Sequence, residues 1–145
     1  VMPAWSPDGT WIAFHRSCAL WTIHPDGTDE TPLSSGLCAT GIAWSPDSHW
    51  IAFLEDDPLL GQRPATIRVF EYGGSDSRII YTFDQPVTHG QVAWSPDGQQ
   101  LFILYGTRGS QDDTLLLDAQ GQGVIAQGIE IPITWIQDFY PQWGK

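Results

Sequence analysis

Residues 42–53 read Ile-Ala-Trp-Ser-Pro-Asp-Ser-His-Trp-Ile-Ala-Phe, and close copies of the string lie on either side. Pro-Ala-Trp-Ser-Pro-Asp-Gly-Thr-Trp-Ile-Ala-Phe occupies 3–14 and Val-Ala-Trp-Ser-Pro-Asp-Gly-Gln-Gln-Leu-Phe-Ile occupies 92–103. A degenerate start, Ile-Thr-Trp-Ile-Gln-Asp, occupies 133–138. The marker residues Trp5, Trp44, Trp94 and Trp135 are spaced 39, 50 and 41 residues apart. A repeat of that length built from short apolar runs and turn residues has the period of a four-stranded propeller blade. Helix start and stop signals are absent, which removes helical solenoids of similar period.

Each unit decodes into four strands. In the first they are expected at 1–5, 11–15, 20–24 and 30–34; in the second near 40–44, 49–54, 65–72 and 78–83; in the third near 90–94, 100–105, 114–119 and 123–127. Ser6-Pro7-Asp8-Gly9 supplies the first turn: proline presets φ and glycine accepts the left-handed position. His24-Pro25-Asp26-Gly27 repeats the recipe one hairpin later. The residue before each marker tryptophan is small (Ala4, Ala43, Ala93, Thr134), as crowded innermost strands require. Trp11 and Ala13 alternate with Ile12 and Phe14, so both faces of the sheet are apolar. That pattern suits a sheet sandwiched between two others. The expected fold is therefore all-β, a partial or oligomer-completed β-propeller. Its blades are assigned to 1–39, 40–89 and 90–131, with the start of a further blade at 132–145.

The 145 residues are 41% hydrophobic and include eight tryptophans, ample material for a core. Seventeen acidic against six basic residues leave a net charge of −11, which repels phosphate backbones and anionic membrane surfaces. No apolar run approaches the roughly 20 residues needed to cross a bilayer as a helix, so no membrane insertion is expected of this segment. Val1 in place of an initiating methionine is read as a sign of processing or truncation, so a missing leader says nothing about compartment.

Trp-Ser-Pro-Asp-Gly followed by Ile-Ala-Phe, then Leu20-Trp21-Thr22-Ile23 and Asp26-Gly27, resembles the TolB-like, WD-repeat-like propeller unit over most of residues 1–137. The departures are Ser48 in place of glycine, Gln100 where the other copies have tryptophan, and the fourth copy, which lacks Ser-Pro-Asp-Gly. The resemblance implies a fold and carries over no catalytic residue. It implies a non-catalytic scaffold that binds another protein. Two alternatives stay open: the gating propeller of a larger prolyl-oligopeptidase-like hydrolase, and the extracellular sensor domain of a membrane receptor or kinase.

The chain has no Gly-x-Ser-x-Gly elbow and no Gly-rich, lysine-containing phosphate loop, and its sole lysine is Lys145. No catalytic residue, resident metal or other cofactor is expected. His15 and His89 fall toward one propeller face and His24 and His49 toward the other, none in a metal-binding spacing; surface or turn roles account for them. The long loops after the second strands of units two and three bring Glu55, Asp56, Asp57, Asp112 and Asp113 to one rim. Solvated loop charge explains these acids; the alternative is a site for a basic protein partner or a divalent cation.

Because strands alternate direction, the loops holding Cys18 and Cys38 emerge on the same face in adjacent positions, which leaves two readings open, a disulfide between them or two buried free thiols. A bond would contribute very roughly 3 kcal/mol by the chain-entropy account. It would favour a periplasmic or extracellular setting. Three blades cannot close a ring, so further blades of a parent chain or a second copy are expected to complete it.

Overall fold

The computed structural model describes residues 3–33, 38–56, 64–73 and 77–130. Twelve strands and no helix occur among them. Blade 1 comprises β1 (Ala4–Trp5), β2 (Ile12–Arg16), β3 (Ala19–Ile23) and β4 (Thr31–Pro32). Blade 2 comprises β5 (Cys38–Trp44), β6 (Trp50–Asp56), β7 (Thr66–Glu71) and β8 (Ser77–Thr82). Blade 3 comprises β9 (Val87–Trp94), β10 (Gln100–Thr107), β11 (Asp113–Asp118) and β12 (Val124–Gln127). Each blade is a four-stranded antiparallel sheet in simple sequential order. The innermost strands β5 and β9 begin at 38 and 87, earlier than their turn signals suggest. The expected strand near 133–137 lies outside the described residues.

The Ser-Pro-Asp turns are built alike. Ser6 Oγ donates to Asp8 Oδ1 (2.6 Å) and accepts from Trp11 N (2.9 Å), while Asp8 Oδ1 also accepts from Thr10 N (3.0 Å). Ser45 and Asp47 repeat this with Trp50 N and His49 N, and Ser95 and Asp97 with Gln100 N and Gln99 N. The left-handed position is filled by Gly9 (φ 74°), Gly98 (φ 72°) and, where glycine was expected, Ser48 (φ 61°). Ser48 uses its side chain: its Oγ accepts from the backbone N of Asp8 in the neighbouring blade (3.2 Å).

Alternation sends Ile51 and Phe53 of β6 into the seam with blade 1, against Ala13, Leu20, Ala39 and Trp44. Ala52 and Leu54 go into the seam with blade 3, against Val92, Trp94, Leu101 and Ile103. Both seams are built from buried apolar side chains. Along the axis the backbones nearly touch: a Cβ on Gly41 (φ 58°) would lie 2.9 Å from the Gly90 carbonyl oxygen. Blade 1 presents its other face without a described neighbour, leaving Trp5 48% exposed and Ile12, Phe14, Trp21 and Ile23 partly so.

Candidate functional site

At the Ser-Pro-Asp end of the blades the serines are locked into their own turns. Ser6, Ser45 and Ser95 are 2–3% exposed, and each hydroxyl is engaged as both donor and acceptor within its own turn. A serine so placed is buried, with its hydroxyl committed to its own turn. The paired serine hydroxyls hold the carboxyls of Asp8, Asp47 and Asp97 below the usual carboxylate range, with the Thr10, His49 and Gln99 amides adding to the effect. Asp26 is held low in the same manner by Thr28. Between blades 2 and 3 this end carries a cavity of about 400 Å³ lined by Trp50, Trp94, Arg78, Asp47 and Asp97. Arg78 packs over the Trp50 ring at 5.1 Å.

The opposite end holds the residues singled out from the sequence, and it does not use them alike. Asp112 and Asp113 are exposed at the β10–β11 connection. Asp112 Oδ1 accepts from His89 Nε2 at 2.9 Å, with both side chains about half in solvent. The His89 ring lies over Gly106, where a Cβ would collide with it and stand 2.8 Å from Asp112 Oδ1. Asp113 accepts from Thr114 N (2.7 Å) and, at 3.4 Å, from the Tyr105 hydroxyl. Burial raises the Tyr105 phenol above its ordinary value, and the Asp113 charge adds to the rise.

Glu55 departs from its expected role at the rim. The strand β6 runs on to Asp56, and parity with Ile51 and Phe53 turns Glu55 inward, where it is 7% exposed. There it accepts from Arg68 Nε at 2.9 Å and from Thr66 Oγ1 at 3.3 Å, so its carboxylate is occupied within the blade. Asp56 ends β6 opposite Cys38 in the strand register. Asp57 lies outside the described residues.

Cys18 and Cys38 are joined as a disulfide, which links the β2–β3 turn of blade 1 to the first residue of β5 in blade 2. Sequence reasoning missed the neighbour of this pair. His15 presents a ring nitrogen within 4.8 Å of both sulfurs. The available signal was its two-residue offset from Ala13, which puts it on the face of β2 that meets blade 2.

No protein family matches the chain, and no curated protein does. Solved structures do. The putative TolB of Agrobacterium tumefaciens superposes with a TM-score of 0.67 at 20% identity, covering 89% of this chain and 50% of that one. TolB from Acinetobacter baumannii gives 0.66 at 17% identity, covering 86% and 31%. The acylaminoacyl peptidase of Pyrococcus horikoshii gives 0.66 at 15% identity, covering 92% and 25%. The chain thus spans half or less of the length of these neighbours. Three sequential four-stranded sheets joined at apolar seams, superposing on these proteins, give the chain a TolB-like β-propeller fold.

Proposed function

We propose that the chain is a non-catalytic set of propeller blades that docks another protein through the loop end bearing Asp112 and Asp113. The observation that carries this reading is the difference between the two ends. At the Ser-Pro-Asp end Asp8, Asp47 and Asp97 are each held by the serine hydroxyl and a backbone amide of their own turns. At the other, Asp112 stands half-exposed with a half-exposed histidine as its partner. Charge so placed steers a basic partner and sets its association rate more than its residence time.

The test pairs the protein with a partner recovered by crosslinking in its native extract, compared with the variant Asp56→Asn, Asp57→Asn, Asp112→Asn, Asp113→Asn. The variant is expected to fold normally and to associate more slowly at low salt, the difference shrinking as salt is added. Equal association rates at low salt would remove this rim as the docking surface.

A second reading is favoured by the similarity to the acylaminoacyl peptidase: these blades belong to the propeller of a larger hydrolase. A Gly-x-Ser-x-Gly elbow downstream in the same reading frame would support it. In either setting the disulfide favours an oxidising compartment, periplasmic or extracellular.

A further inference from the structure

We propose that His15, Cys18 and Cys38 form a redox-gated site for a thiophilic cation, with Zn²⁺ the fitting ion: the cation is held when both sulfurs are thiolates and shut out when they are joined. This does not depend on the docking role proposed above.

Three elements converge on the site. His15 comes from β2, Cys18 from the tight turn after it, and Cys38 from the first residue of β5 in the next blade. One ligand atom from each lies within 4.8 Å of the others. Ser17 (φ 51°) and Cys18 (φ 54°) both take the left-handed conformation, which costs a non-glycine residue roughly 1 kcal/mol or more. A hairpin turn of this type ordinarily uses Asn-Gly. Here the cost is borne by a residue whose sulfur reaches the neighbouring blade. His15 Nε2 is buried and has no hydrogen-bond partner among the described residues. A polar atom in that condition is destabilising unless something completes it, and a bound cation would use that nitrogen's lone pair.

The donor set selects the ion. Two thiolates neutralise a dication, so the complex puts no net charge into the partly buried seam. Neutral imidazole supplies the third ligand, and water completes the tetrahedron that zinc prefers. Among the described side chains no carboxylate belongs to this cluster, so calcium and magnesium, which require oxygen donors, are poorly served by it.

Gating follows from thiol chemistry. A dithiol reductant attacks one sulfur, forms a mixed disulfide and is resolved by its own second thiol. Two electrons and two protons pass to Cys18 and Cys38, and the reductant leaves as a cyclic disulfide. Zinc binding then displaces the two thiol protons. A disulfide oxidant reverses the sequence, taking two electrons from the thiolates, rejoining the sulfurs and releasing the cation. In both states blades 1 and 2 stay tied across the same seam.

The experiment reduces the protein anaerobically with a phosphine and titrates it with Zn²⁺ alone and, separately, with Co²⁺ as a spectroscopic substitute. One equivalent per chain is expected in the reduced protein, with a thiolate-to-cobalt charge-transfer band and both thiols protected from alkylation. The oxidised protein should bind none. Cys18→Ser and Cys38→Ser should each abolish the band. His15→Ala should weaken zinc binding at least about tenfold, the loss that removing even an outer partner of a ligand produces. The proposal is overturned if the reduced protein takes up no more zinc than the oxidised one, whether folded or not, or if His15→Ala binds zinc as the wild type does. Should the serine variants fail to fold, the comparison of oxidised with reduced wild type and the alkylation protection still decide.

Discussion

The indole Nε1 of Trp94 donates to the backbone oxygen of Ala43 at 3.1 Å across the seam between blades 2 and 3. Trp44 makes the equivalent bond to Ala4 at 3.0 Å across the seam between blades 1 and 2. The repeated Ala-Trp pair therefore builds each seam from both sides, the tryptophan of one blade reaching the alanine carbonyl of the one before. Trp94→Phe keeps most of the apolar surface and removes the cross-seam hydrogen bond. It should cost about 0.5–1.5 kcal/mol, read as a lower urea midpoint with an unchanged slope. Wild-type stability in this variant would mean that the bond contributes nothing to the seam.

Gly41 cannot be replaced cheaply. Its φ of 58° and the Gly90 oxygen 2.9 Å from a would-be Cβ add backbone strain to a backbone clash. Gly41→Ala should destabilise by more than about 1 kcal/mol, the cost of the left-handed conformation alone. Gly9→Ala is the control, since a Cβ there meets nothing within 4 Å. If both substitutions cost the same in chemical denaturation, the close approach of β5 and β9 is not a constraint.

Glu55→Ala strips Arg68 of its principal partner in a largely buried position. Arg68 keeps a 3.1 Å contact to Ser77 and some solvent access, so the expected cost is about 1.5–3 kcal/mol, the range for hydrogen bonds to charged groups. Thermal unfolding of Glu55→Ala and Glu55→Gln would measure it. Full stability in both would return Glu55 to the rim role that its sequence position suggests.

Acid should act through the turns. Asp8, Asp47 and Asp97 have folded pKa values below their unfolded values, chiefly through the serine hydroxyls. The folded state thus binds fewer protons, and the stability these groups contribute is fully present above the unfolded value near ~3.9. It is lost as pH falls through the folded values. The melting temperature should decline below about pH 4, and the triple variant Asp8→Asn, Asp47→Asn, Asp97→Asn should decline less steeply. An unchanged acid slope would show that other carboxylates govern acid unfolding.

The strands were legible because Ser-Pro-Asp turn chemistry and two-residue alternation are both local. Trp11, Ala13 and Phe14, like Trp50, Ile51 and Phe53, announce a sheet with two apolar faces before any tertiary contact is known. The site was legible only in part. Glu55 looked like the first residue of an acidic loop, whereas β6 continues through it and parity carries it inside. His15 looked like an isolated histidine, because its nearness to Cys18 and Cys38 depends on how two blades meet. Asp112 was placed at the correct end by strand direction, but its pairing with His89 required the glycine at 106, whose role is visible only once the ring is seen above it.

The central claim is that these blades are part of a larger ring, so that the face of blade 1 bearing the half-exposed Trp5 needs a neighbour. Sedimentation velocity of the isolated 145 residues over a micromolar concentration series, with a thermal melt at each concentration, tests it most directly. The account predicts concentration-dependent association, with melting temperatures that rise as the copies cover one another's apolar faces. A compact monomer at every concentration, melting cooperatively at one temperature, would contradict it.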